Sequence, residues 1–181
     1  IHQEERETIQ DFARRLENET DPFEALFVVL NRNHTTDLPT FMDNINRVST
    51  FQYKNERLYQ REHPYHDLSK TIMEHIIQEE QEIAVDFKED QVELRDIITN
   101  KTYTELGFKT LLGFPLFLDK ELFGCVIFVS EKDLTDDKNY ITLKIAAKIL
   151  EFRLSTIYFQ NSLRTHRNIL QVAINRLQDG I

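Results

Sequence analysis

The chain is expected to fold as an α+β domain, a central antiparallel sheet with helices on one side or at both ends, finished by a long terminal helix. Three features predict this. Residues 110–118 and 122–130 are apolar runs around the tight turn Asp119-Lys120-Glu121. The second arm is apolar enough to need cover on both faces, which makes it a central strand. Ile145, Ile149, Phe152, Thr156, Phe159, Leu163, His166, Leu170, Ala173 and Leu177 follow spacings of four and three, the seam of a coiled coil. Finally, Glu4 to Glu17 sets Ile9, Phe12, Ala13 and Leu16 on one helical face with charge elsewhere, an amphipathic opening helix.

The remaining elements follow in order. Asp21 as N-cap, Pro22 at the first helical position and Glu24 as reciprocal partner predict a second helix carrying Phe23, Leu26, Phe27 and Leu30, although Phe27 to Leu30 is equally apolar enough for a strand. Leu38 to Arg47 reads as a short helix. Val48 to Arg61, with Phe51, Tyr53 and Tyr59 among polar residues, reads as a half-exposed strand or hairpin. Ser69 is the expected cap of a helix bearing Ile72, Met73, Ile76 and Ile77, and Glu82 to Phe87 returns to strand. Asp90 to Gly107 is expected to be a polar helix or a long loop across the sheet, held by Leu94, Ile97 and Ile98. Thr135 is the expected cap of the terminal helix, with Asp136 and Asp137 in its first turn.

Composition excludes several functions. With 22 Lys and Arg against 31 Asp and Glu, a formal charge of −9, and no basic run longer than two, nucleic acid and anionic membrane are poor partners. One cysteine among 181 residues allows no disulfide within the chain and suits a reducing, cytoplasmic setting. Apolar stretches such as Leu122 to Val129 fall well short of the ~20 residues of a membrane span. Four glycines, four prolines and no linker-like stretch indicate one domain with helical extensions: 1–20 an N-terminal helix, 21–158 the body, 159–181 a linker helix. Ile1 at the start and Asp179-Gly180-Ile181 at the end read as a piece of a larger protein, whose other parts are free to include a membrane anchor.

Candidate chemistry is sparse. Cys125 lies among Phe123, Val126 and Phe128 and reads as a small buried apolar side chain. His63-Pro64-Tyr65-His66 with Glu62, Asp67 and His75 lacks the paired spacing of a metal site and reads as exposed loop histidines, so no metal is expected. His166 reads as a polar seam residue that sets register, as does Thr156. No Gly-rich phosphate loop, no nucleophile elbow and no converging carboxylates occur, so no enzyme is expected.

Pro115-Leu116 on one strand, the turn Asp119 to Glu121, Gly124 to Val129 on the next, and a long helix opening at Thr135-Asp136-Asp137 together resemble the C-terminal half of a GAF domain. The N-terminal half agrees in element order. The resemblance implies a regulatory sensor domain of a bacterial signal-transduction protein, with a ligand held between the sheet and the segment crossing it. Tyr53, His75, Phe87, Arg95, Thr99 and Thr110 are the lining it suggests, Arg95 being available to an anionic ligand. It names no cofactor. No bilin-type Cys-His pair is present for a covalent chromophore, and a redox member of the fold would need a reactive cysteine with a resolving partner. The expected partners are a second copy of the chain, paired through the terminal helix, and a downstream output domain. Ile174 to Ile181 is similar to the lead-in of a PAS domain. The alternatives are a ligand-free dimerisation spacer and a redox enzyme of the same fold.

Overall fold

The computed structural model describes residues 2–20, 23–31, 47–64, 71–90, 95–96 and 99–180. Its elements are α1 (His2–Thr20), β1 (Ala25–Asn31), β2 (Arg47–Lys54), β3 (Arg57–Pro64), α2 (Ile72–Glu79), β4 (Ile83–Asp86), α3 (Phe87–Asp90), β5 (Thr110–Leu118), β6 (Glu121–Ser130) and α4 (Asp137–Asp179). The strands form one six-stranded sheet in the order β3-β2-β1-β6-β5-β4, and every neighbouring pair is antiparallel. As the apolar second arm of the hairpin requires, β6 is central, beside β1.

Both faces of the sheet are covered. Leu26, Val28 and Leu30 of β1, Phe51 and Tyr53 of β2, and Phe123, Val126 and Phe128 of β6 pack with Ile9, Phe12 and Ala13 of α1 and Leu143, Ala147, Leu150 and Leu154 of α4. The alternate residues, Ala25, Phe27 and Val29 of β1 with Cys125, Ile127 and Val129 of β6, pack with Ile72, Met73, Ile76 and Ile77 of α2 and with Tyr103 and Phe108 from the segment before β5. Period-two alternation thus divides one sheet between two cores.

Several expectations need correction. No helix follows α1: Leu26, Phe27 and Leu30 belong to β1, every residue of which is buried. A strand flanked by β2 and β6 and covered on both faces demands a continuous apolar run, and that long-range pairing overrides the local capping signal. Asp21 and Pro22 lie outside the described residues. Glu24 caps nothing; its carboxylate instead accepts the Glu131 N–H at 2.6 Å, tying the start of β1 to the end of β6. The expected helix at 38–47 lies outside the described residues except for Arg47, which opens β2. The β2–β3 hairpin forms as expected around Asn55-Glu56, both at positive φ, although β2 is buried from Val48 to Tyr53 and not half-exposed.

Helix starts also shift. Thr71 caps α2, its side chain accepting the Glu74 N–H, while Ser69 lies outside the described residues. Asp136 caps α4, accepting the Asn139 N–H at 2.7 Å, whereas the Thr135 N–H and hydroxyl both turn back to Asp133. Asp136, one residue closer to the helix start, wins because its carboxylate takes the orphan N–H as an ion. His63 is not in an exposed loop; it sits buried in β3 beside β2. Of the 90–107 segment, Leu94, Ile97 and Ile98 lie outside the described residues, and residues 99–107 are turns with one bridge between Arg95 and Thr102.

The outer edge of β5 is blunted. Strand β4 pairs only with Thr110–Gly113, the register slips at Leu116/Phe117, and the Phe117 N–H is accepted by Glu151 of α4 at 2.9 Å. Pro115 has no N–H to leave open. Helices α1 and α4 are joined by Arg153–Asp11 at 3.0 Å and by the Tyr158 hydroxyl, which donates to the fully buried Glu5 carboxylate.

Gly124 carries the closest approach in the sheet. A Cβ there would lie 2.3 Å from the Val29 carbonyl oxygen, a backbone atom that cannot swing away. Gly124→Val is therefore expected to destabilise the fold by about 3 kcal/mol, the upper part of the overpacking range. An unchanged thermal unfolding midpoint would refute the close β1–β6 packing.

Candidate functional site

Along β2 the residues facing the α2 side are Val48, Thr50 and Gln52, two of them polar though buried. Strand pairing places Asn31 of β1 opposite Val48, and Val48 opposite His63 of β3. The segment before β5 adds Asp96 and Tyr103 over Gln52. The result is a row of buried polar side chains crossing three strands on the face that α2 and residues 99–108 overlie.

Its hydrogen bonds follow from donor and acceptor types. His63 Nδ1 lies 3.3 Å from the Pro64 carbonyl oxygen, which can only accept, so Nδ1 carries the proton. Nε2 shares a 2.6 Å hydrogen bond with the Thr50 hydroxyl. The Gln52 amide donates to Asp96 and, at 3.1 Å, to the Tyr103 hydroxyl. Burial alone would raise the Asp96 carboxyl; hydrogen bonds from Gln52 and from the Thr99 N–H and hydroxyl, with the Lys54 charge, outweigh it and hold Asp96 below the usual carboxylate range. Burial pushes the Tyr103 phenol upward, helped by the Asp96 charge and hydrogen bond, so Tyr103 stays protonated. Phe27 meets the Tyr103 ring edge-on at 5.4 Å and seals the row toward β1.

The six residues expected to line a pocket are not brought together. Tyr53 points to the opposite face, where its hydroxyl donates to Glu17 at 3.4 Å; alternation along β2 puts it with Phe51 and away from Thr50 and Gln52. His75 is exposed on α2. The Thr110 hydroxyl is committed to the Lys132 carbonyl at 2.6 Å and the Leu134 N–H at 3.0 Å, pinning the approach to α4. Arg95 is exposed, with Nη1 donating to the Asn100 carbonyl at 3.0 Å, and so closes its own turn. Phe87 is buried in the α2-side core and Thr99 serves Asp96; these two alone support the covered face. Asn31, Thr50, Gln52, His63, Asp96 and Tyr103 were not legible as a group. Polar residues alternating with Phe51 and Tyr53 in β2 were the available signal.

Elsewhere, His66 and Asp67 lie outside the described residues, and no group of three or more metal-ligating side chains occurs among the described ones. Cys125 is fully buried, and burial pushes its thiol up to about 12. The α4 side chains are buried on one face as far as Tyr158, while Ile145, Ile149, Phe152, Phe159, Leu163, Leu170 and Leu177 are all exposed, Phe152 by 74%. Thr156 and His166 are exposed in the same stripe. No helix among the described residues is long and apolar enough to cross a membrane.

The Asp96 arrangement predicts a pH signature. Because its folded pKa is depressed, its contribution is complete above the unfolded value of about 4 and is lost as pH falls through the folded value. Wild type should exceed Asp96→Asn in stability by about 1.5–3 kcal/mol at neutral pH, the worth of hydrogen bonds to a charged group. That gap should close in acid. A pH-independent difference in denaturant midpoints would contradict the assignment.

No family model matches the chain, and no curated protein sequence matches it. Solved structures do. The GAF domain of a two-component sensor histidine kinase from Bacillus halodurans aligns over 85% of this chain and 95% of its own, at 11% identity and a TM-score of 0.59. A type II free methionine-R-sulfoxide reductase from Thermoplasma acidophilum aligns over 86% and 93%, at 10% identity and a TM-score of 0.56. A GAF domain/HD domain protein from Geobacter sulfurreducens aligns over 88% and 94%, at 13% identity and a TM-score of 0.54. Sensor modules and a reductase share this architecture, so what the likeness establishes is the architecture itself: the chain has a GAF-like fold.

Proposed function

We propose that the chain is a regulatory sensor module that takes a small ligand, or a neighbouring domain, on the polar face of its sheet and passes the state along α4 as a parallel homodimer. The observation that carries this reading is the exposed apolar stripe from Ile145 to Leu177. A helix in water without tertiary packing is marginal, and beyond Tyr158 none of α4 is buried. The stripe keeps the four-three rhythm of a two-helix seam through both the packed and the projecting parts of α4. A second copy supplies the matching surface by symmetry and places both helix ends on one side, where downstream output domains would begin.

Coupling has a physical route. Strands β1 and β6 present one set of side chains to the polar face and the alternate set to α1 and α4. A ligand favouring one packing of the polar face shifts the helix pair only by its difference in affinity for the two states.

The reductase among the structural neighbours raises a catalytic alternative, and the thiol speaks against it. Only thiolate attacks, and a fully buried thiol pushed up to about 12 supplies almost none at neutral pH. We assign the chain no turnover of its own. Cys125-dependent consumption of free methionine-R-sulfoxide in the presence of a thiol reductant would overturn that assignment.

Leu163→Glu combined with Leu170→Glu should convert the dimer to a folded monomer, read by light scattering and far-ultraviolet circular dichroism. A monomeric wild type, or a double variant that remains dimeric, would sink the helix-seam reading. Native mass spectrometry of the wild type should in addition show mass above the bare dimer if a ligand is carried through purification.

A further inference from the structure

We infer that Asn31 is the seat of a neutral ligand that presents a lactam edge, a carbonyl and an N–H side by side. This rests on the ligand reading above and names the chemistry that the polar face takes. Asn31 is 1% exposed, yet neither its Nδ2 nor its Oδ1 has a hydrogen-bond partner among the described residues. Buried amides are almost always paired, because an unpaired one forfeits its hydration without replacement. It lies on the same face as Phe27 and Val29, opposite Val48 and one diagonal step from Thr50. The polar row therefore has one end that is saturated, at Gln52 and Asp96, and one end that is open, at Asn31.

The open end dictates what fits it. A primary carboxamide with both atoms free offers a donor and an acceptor about two ångströms apart, and its complement is a group with the same pair in reverse order, closing a ring of two hydrogen bonds. The amide can rotate to meet either order, so the side-by-side arrangement is what is read. Charge is disfavoured at this end. Val29 and Val48 flank Asn31, and the carboxylate in the row is already engaged by Gln52 and Thr99.

The test uses the whole chain with 2-pyridone as probe and N-methyl-2-pyridone, which keeps the ring and carbonyl but lacks the N–H, as control. Ligand-observed saturation transfer and titration of the Asn31 side-chain amide resonances should show 2-pyridone binding at least tenfold tighter than the N-methyl compound. Asn31→Asp, the same shape without the donor, should lose at least tenfold of that affinity. Asn31→Leu should abolish binding while raising the unfolding midpoint of the free protein, since it removes an unpaired buried amide; a lowered midpoint would overturn the claim that Asn31 is unsatisfied. Equal binding of both pyridones would overturn the lactam class and leave a ligand site standing. Binding of neither would overturn the inference outright, while the dimeric helix stands or falls on its own double-glutamate test.

Discussion

Strands β1 and β6 have no side that meets solvent, and that constraint organises the rest of the molecule. A two-sided strand pair needs apolar cover above and below, which α1 and α4 provide on one face and α2 with residues 99–108 on the other. It also needs the backbones to close on one another, which only a residue without a side chain allows opposite Val29 and Leu30. Every buried apolar contact made on one face then restricts the strand that also forms the floor of the other.

Against this apolar background the buried polar groups stand out by location. Glu5 with Tyr158 sits between the two helices of one face, and the Thr50–His63 and Gln52–Asp96–Tyr103 groups sit on the other. Aliphatic side chains of similar size would fill the same space at no desolvation cost. What the polar groups add is direction: each admits few arrangements that satisfy its donors and acceptors, so each favours discrete packings over continuous ones. Such discreteness is found both at the α1–α4 pair and on the α2-side face of the sheet.

The hairpin, the central position of β6 and the stripe of α4 were legible because each is a local pattern long enough to outvote its alternatives. Leu26 to Leu30 was not, since the same five residues satisfy a helical face and a buried strand, and what decides between them is pairing with residues far along the chain. The polar row was hidden for a related reason. Asn31, Thr50 and His63 are distant in sequence, unremarkable singly, and meet only through strand register. Tyr53 was drawn into the expected lining by its chemistry, but a period of two places it one residue out of phase with the face that matters.

The Glu151 carboxylate that accepts the Phe117 N–H belongs to α4, while the N–H belongs to the outer strand of the hairpin. The helix is thereby keyed to the sheet edge like a tooth in a rack. Rolling α4 about its long axis would withdraw the carboxylate and leave a bare strand margin open to the next molecule in solution. The setting of α4 and the cover of the β5 margin are thus one contact, and neither changes without the other.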